Sequence, residues 1–538
     1  MSDPSQNLTF CSSFPSQPSA GIVHHVILWL VLSFTLWFAW TGFIASDDSY
    51  YAIAGAGWAN QFPYIAGDFP TARAVIALPI GLMIKLFGES EFTVVLSTCL
   101  FFLATASLTL AVLSRLTGPT LATVSCCLMG TVPLLALKAT IPSADQPELF
   151  FVACAIWLFW LATMRERRLW LLLGAGACTS LAFGAHEVTG GLIIGYGVLF
   201  AVGYGIPRRE YWVMAIGFFA IVAVECLYYW IFAGNPLHRL SMLVPILAGG
   251  VGVVPIGGDR VDPGVLDVAL GGTIHLNKVI DPFLMFFTHH DFGLLGFVSV
   301  PALWWCCVTK QQDKSLPLVT ARLLAIFASV WFLFSSLMLR DLVLGTRYFM
   351  VTAYLLMVIT AIWACLEMWP RRKRLTLVGG GIFLLVNLVS ILLDNKNPRY
   401  GERMLVAYLA QSKGPVQVDP ETFKRSDFYC KWSGQDCSRI RVGPPQSGAA
   451  DLYFYYPENA APGYNKAVKT REEGSAYQPD REWEPVWRHA EPDKPLTTLF
   501  AALHLEGRIP EKIYRKLAGP GRFVVVYRLP RQGPAVNR

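Results

Sequence analysis

Two adjacent carboxylates, Asp47 and Asp48, follow directly on a long apolar run, and a third, Asp145, lies in the tight turn Ile141-Pro142-Ser143-Ala144-Asp145-Gln146-Pro147. Ionisable groups at a membrane edge are costly unless they do something. Carboxylates so placed suit general-base removal of a proton from an acceptor hydroxyl, with the others positioning the nucleophile or holding a divalent cation. An anionic leaving group would then need cationic partners, and Arg73, His186 and Arg347 stand at the edges of other apolar runs. Plainer roles compete: Asp145 suits a helix N-cap, and Arg347 can snorkel to the interface. His289 and His290, followed by Asp291, are weak metal candidates, as are Asp48 and Asp145. The His-His-Asp spacing is no established ligand pattern, and a solvated helix start is the plainer reading. His238-Arg239 is a comparable weak candidate for a phosphate.

The elements that must position these residues are apolar helices. With 54% hydrophobic and 15% charged residues over 538 positions, and a mean hydropathy of +0.45, the chain reads as a polytopic membrane protein rather than a large soluble enzyme. The first apolar segment follows a polar stretch and lacks a small-residue cleavage pattern, so a retained helix is expected. Segments of spanning length recur at 22–44, 92–114, 119–138, 147–164, 169–186, 190–206, 211–232, 291–309, 318–338, 347–368 and 375–393, which predicts about 11 transmembrane helices. The stretch 72–87, interrupted by Pro79 and flanked by Arg73 and Lys85, is too short to span and predicts a juxtamembrane helix.

Charge bias agrees with that choice, because short cytoplasmic loops collect Lys and Arg. If 72–87 does not cross, Arg115, Arg165 to Arg168, Arg208-Arg209, Lys310 with Lys314, and Arg371 to Arg374 all fall on one side. The amino terminus is then cytoplasmic, and Asp47, Asp48, Asp145, His186-Glu187 and the loop 233–290 face out. Everything after Leu393 shares that outer face. This tail is polar, with 23 basic and 17 acidic residues, so most of the chain's net charge of +7 lies there. Helical spacing over Gly401 to Gln411 and strand patterns at Val416 to Val418, Leu452 to Tyr455 and Phe523 to Tyr527 predict a small C-terminal α/β soluble domain. The expected boundaries are 1–393 for the membrane domain, with outer loops 45–91 and 233–290, and 394–538 for the outer domain. Of the 12 cysteines, nine lie in apolar runs; Cys430 and Cys437 stand together in the polar tail and could close a disulfide in an oxidising compartment.

The motifs and their order resemble the GT-C membrane glycosyltransferases, in the branch holding protein O-mannosyltransferases and the aminoarabinose transferases of lipid A. Asp47-Asp48-Ser49-Tyr50-Tyr51 looks like that family's first-loop acidic motif. Phe69-Pro70-Thr71-Ala72-Arg73 and Lys85-Leu86-Phe87-Gly88 look like its juxtamembrane stretch, Asp145-Gln146-Pro147-Glu148 like its second-loop Asp before a helix, and Arg347-Tyr348 like its late Arg-Tyr pair. Two positions depart from the pattern: Tyr50 stands where a basic residue often follows the acidic pair, and His186 where a Lys commonly ends the fifth helix.

The resemblance implies a GT-C-like fold and inverting transfer of one sugar, hexosyl or pentosyl, from a polyprenyl-phosphate donor to a lipid, glycan or protein acceptor. Asp47, Asp48 and Asp145 would be the catalytic set, and Arg73, His186, Arg347 and Tyr348 would hold the donor phosphate. A divalent cation is compatible with the carboxylates, and no other cofactor is indicated. The expected setting is a bacterial inner membrane, among its lipids, with the carboxyl-terminal domain periplasmic and no nucleic-acid partner. The alternative is a transporter or flippase of a lipid-linked or anionic substrate, with the charges lining a path. No Walker loop, dinucleotide fingerprint or evident inverted repeat favours it.

Overall fold

The computed structural model describes residues 19–165, 168–247, 280–309, 315–338, 345–393, 397–445, 451–460, 477–493, 496–505, 507–508, 514, 517–518 and 521–530. Most of the long loop 233–290 therefore lies outside the described residues. The chain divides into two compact units: residues 1–42 with 50–392, and residues 43–49 with 393–538.

The first unit is helical: α1 (Ile22–Phe38), α2 (Asp47–Asn60, whose first three residues belong to the second unit), α3 (Ala74–Phe87), α4 (Glu91–Thr117), α5 (Pro119–Gly130), α6 (Pro133–Ala139), α7 (Asp145–Thr163), α8 (Leu169–Ala185), α9 (Gly190–Val202), α10 (Tyr211–Ala233), α11 (His238–Leu247), α12 (Ile280–Thr288), α13 (Leu295–Val308), α14 (Leu316–Met338), α15 (Met350–Trp363) and α16 (Trp369–Leu393). Among the described residues, five helical stretches are long and apolar enough to cross a membrane, and a sixth is counted if one bent pair forms a single span. Five further apolar helices, α3 among them, are shorter. The bent pair is α5–α6, where a single span is expected from the sequence; the axis turns by 72°. Pro133 is the cause. It lacks an N–H to donate back into α5, and it forces Val132 toward extended backbone (ψ 122°).

α7, α8 and α10 pack side by side. Two glycines permit the α8–α10 approach: a Cβ on Gly176 would fall 1.9 Å from the Met214 carbonyl oxygen, and one on Gly217 2.1 Å from that of Leu173. Two buried indoles of α7 are paired across helices. Trp157 donates to the Tyr354 hydroxyl at 2.9 Å, and Trp160 to Thr320 at 2.8 Å. Such pairing is required where no water can substitute. By contrast α10 exposes Trp212, Ile216, Phe219, Val224 and Trp230, an apolar face suited to lipid.

The second unit carries α17 (Tyr400–Gln411), α18 (Pro420–Trp432) and a five-stranded sheet of β1 (Val416–Val418), β2 (Ile440–Val442), β3 (Leu452–Tyr455), β4 (Glu484–Ala490) and β5 (Phe523–Arg528), in the order β2-β1-β3-β5-β4. β1 pairs in parallel with both β2 and β3, whereas β5 runs antiparallel to β3 and β4. The three consecutive valines of β5, Val524 to Val526, are buried, so both faces of this strand are covered. α18 opens on Asp419, whose side chain accepts from the Thr422 amide, with Pro420 in the first turn. Cys430 and Cys437 are free thiols, both directed at the Gln435 carbonyl at 3.6 Å.

Candidate active site

Helix α7 starts the site in the first unit. Ala144, not Asp145, occupies its cap position, and Asp145 is the first helical residue. Asp145 and Glu148 are both buried, one turn apart on the same face and close to the positive end of the helix. Glu148 Oε2 lies 3.2 Å from His186 Nδ1, and Glu148 Oε1 accepts from the Thr189 hydroxyl at 2.8 Å. His186 ends α8 in extended backbone (φ −152°, ψ 130°), which turns its ring away from the helix. That ring stacks on Tyr348 with centroids 5.8 Å apart and planes 15° apart.

Tyr348 and Arg347 sit in a short 3-10 turn leading into α15. Arg347 donates to the Tyr348 hydroxyl at 3.1 Å, with its guanidinium 5.1 Å from the ring centroid. The turn is held from below, because Trp331 and Ser335 of α14 both donate to the Tyr348 carbonyl at 3.3 Å. It is held from the side as well, since Thr346 donates to Asp291 at 2.5 Å.

A second cluster centres on Arg73, which caps α3. It donates to Tyr51 of α2 at 2.6 Å and to Glu187 at 2.7 Å. The other oxygen of Glu187 accepts from Arg239 at 2.9 Å, and Arg239 reaches Glu225 at 3.3 Å. Both guanidinium groups also lie over Phe69, at 5.3 and 5.7 Å from its centroid. Arg73 Nε is buried and has no hydrogen-bond partner among the described residues. His238 bonds the Ala66 carbonyl at 3.1 Å and packs on Tyr229.

Asp47 and Asp48 pack with the second unit. Asp47 is the first residue of α2, one turn before Tyr51. Asp48 is buried, and its carboxylate accepts the amides of Ile44 (2.8 Å), Ala45 (3.2 Å) and Ser46 (2.6 Å). With both oxygens so occupied, Asp48 suits holding its loop better than ligating a cation. The ligand atoms of His289, His290 and Asp291 lie within 4.8 Å of one another. However, Asp291 is already bonded by Thr346, and His289 Nδ1 accepts the Asp291 amide at 3.3 Å. That arrangement serves a helix start as well as a cation.

Arg73, His186, Arg347 and Tyr348 therefore all lie in the first unit, each tied to a partner that fixes its direction. Three acidic residues of the site go beyond the sequence-derived candidates. Glu148 was signalled by its place three residues after Asp145, Glu187 by its adjacency to His186, and Glu225 by standing inside the apolar run 211–232.

The family model described as dolichyl-phosphate-mannose-protein mannosyltransferase matches residues 73–230. No curated protein matches the chain in sequence. Among solved structures, the chain is similar to ArnT from Cupriavidus metallidurans bound to undecaprenyl phosphate. The match has 13% identity and a TM-score of 0.52, covering 95% of this chain and 99% of that one. It is similar also to the Archaeoglobus fulgidus oligosaccharyltransferase tethered to an acceptor peptide, at 11% identity and a TM-score of 0.51, covering 93% and 88%. The polytopic helical fold with a small carboxyl-terminal sheet is thus the GT-C fold that the sequence motifs resemble.

Proposed function

We propose that the protein is an inverting glycosyltransferase that moves one hexosyl or pentosyl group from a polyprenyl-phosphate donor to an acceptor hydroxyl at the outer face of the membrane. The observation that carries this reading is the cationic and aromatic set Arg73, Arg239, His186, Arg347 and Tyr348, held by Glu148, Glu187 and Glu225. Fixed cationic donors can stabilise a departing phosphate without reorganising as the charge develops. The Nε of buried Arg73, unpartnered among the described residues, leaves a donor that an anion could take up. Similarity to a structure that binds undecaprenyl phosphate supports a lipid-linked donor of this kind.

In this mechanism the acceptor oxygen attacks the anomeric carbon from the face opposite the phosphate. The bond from that carbon to the phosphate oxygen breaks, the acceptor proton passes to Asp47, and polyprenyl phosphate leaves as the anion. Asp145 positions the acceptor. A divalent cation, where one binds, would neutralise phosphate charge.

The test is transfer of labelled sugar from a polyprenyl-phosphate donor by purified protein, across a panel of lipid, glycan and peptide acceptors. Asp47→Asn should fold and bind donor but lose about 10²–10⁴-fold in turnover, the usual contribution of a positioned base. Unchanged turnover in that variant would remove Asp47 from the role, and no transfer by wild type from any donor in the panel would count against the reaction itself.

A further inference from the structure

We infer that the second unit is the clamp that sets the position of the acid-bearing loop, with Arg399, Arg403 and Tyr429 as positioning residues for Asp47. Residues 43–49 belong to the same compact unit as the tail from Leu393. The Phe43 ring, 1% exposed, stands edge-on to Phe428 at 5.1 Å and to Trp432 at 5.3 Å, both from α18. Its carbonyl accepts two hydrogen bonds at 2.8 Å, one from the Tyr429 hydroxyl and one from Arg403 Nη2. The Arg403 guanidinium lies 5.1 Å from the Tyr429 ring centroid, so the two donors support one another. The next carbonyl, Ile44, accepts from Arg399 Nε at 3.0 Å.

The opposite edge of the same backbone is bound by Asp48, through the amides of residues 44 to 46. Between these two sets of bonds Ala45 adopts φ +50°, a left-handed conformation that a residue with a Cβ seldom holds without support. Carbonyls gripped from one side and amides from the other leave the chain little freedom just before Asp47. A domain that merely rode on the membrane helices would not need two arginines and a tyrosine on adjacent carbonyls of this one loop. These three residues grip the loop through its Phe43 and Ile44 carbonyls.

The activity part of this inference rests on the transferase reading; the clamp itself does not. The experiment uses the full chain in detergent or nanodiscs, comparing wild type with Tyr429→Phe, Arg403→Lys, Arg403→Ala and the double variant Tyr429→Phe/Arg403→Ala. Hydrogen exchange at residues 43–48 should speed up in the double variant while that of β1, β3 and β5 stays as in wild type, which separates loosening of the loop from unfolding. Turnover should fall by on the order of ten- to a hundredfold, since small misplacements of a reacting group cost that much. KM for the lipid donor should stay within about twofold, and Arg403→Lys should recover part of the loss. Unchanged exchange at 43–48 overturns the clamp. Faster exchange with unchanged turnover overturns the positioning role. If wild type transfers no sugar, the transferase reading and the positioning role fail together, and the exchange measurement alone decides the clamp.

Discussion

Glu148 and His186 meet at 3.2 Å inside the first unit, joining the first turn of α7 to the end of α8. The pair fixes the imidazole against Tyr348 and so carries the alignment on to Arg347. Removing one member of a buried polar pair leaves the other unsatisfied, a loss of about 1–3 kcal/mol in comparable cases. Glu148→Ala should therefore lower thermal stability markedly. Glu148→Gln, which keeps an acceptor for Thr189, should lower it less. Thermal unfolding of both variants in the same detergent checks the order; equal losses would show that the Thr189 bond contributes nothing.

Arg73 makes charge-assisted bonds to two different elements, α2 and the turn after α8. Lys supplies a single point of charge where Arg supplies a planar fork. Arg73→Lys should lose at least one such bond, worth about 1.5–3 kcal/mol, and weaken donor binding by roughly ten- to a hundredfold. Titration of a fluorescent polyprenyl phosphate measures this directly. Donor affinity equal to wild type would assign Arg73 to holding α2 alone.

Much of this arrangement was legible in the sequence, and the reason is physical. Strands at Val416 to Val418, Leu452 to Tyr455 and Phe523 to Tyr527 follow from β-branched and aromatic runs that must be buried, and the structure has strands there. β4 was not legible, because Glu484 to Ala490 is almost wholly exposed and carries no inward-outward alternation. β2 is three residues long with only Ile440 buried, too short to leave a pattern. The broken span at Pro133 shows the same limit, since hydropathy counts apolar residues and not bends. Site residues set off from apolar sequence, such as Asp47 and Arg73, stand out by cost alone. The partnership of Phe43 with Tyr429 does not, because nothing local in either stretch marks a contact between residues so distant in the chain.

Gly217 and Gly379 offer a matched pair for testing helix packing. An alanine Cβ at Gly217 would meet the Leu173 carbonyl at 2.1 Å, whereas at Gly379 it would meet nothing within 4 Å. Gly217→Ala should cost about 1–3 kcal/mol by forcing α8 and α10 apart. Gly379→Ala should be neutral or slightly stabilising, because Gly is a poor helix former. Comparing unfolding midpoints of the two variants separates packing from propensity, and a neutral Gly217→Ala would mean that the α8–α10 contact relaxes freely.

Glu402, at the start of α17, makes the last prediction, which concerns pH. Its carboxyl is buried; one oxygen accepts from Asn459 at 3.2 Å, and the other has no hydrogen-bond partner among the described residues. Burial raises its pKa above the ordinary glutamate value, outweighing the opposing help of its own backbone amide, Arg399 and Asn459. Asp419 and Asp48 are raised for the same first reason, each against backbone amides that pull the other way. For a carboxyl raised in the folded state, the fold binds more protons than the unfolded chain between the two pKa values. Stability is then greatest below the unfolded value, about 4.3 for Glu, and declines as pH rises through the folded one. The second unit should accordingly become more stable on mild acidification from neutral pH, opposite to a protein whose carboxylates are mostly paired. Glu402→Gln keeps the oxygen that Asn459 bonds and removes the charge. Its stability should exceed wild type at neutral pH, and the advantage should shrink as pH falls toward the ordinary carboxylate range. Exchange rates of β1, β3 and β5 amides, corrected for intrinsic chemistry and followed with pH in both proteins, measure the difference; parallel profiles would show that Glu402 is neutralised by a partner at every pH.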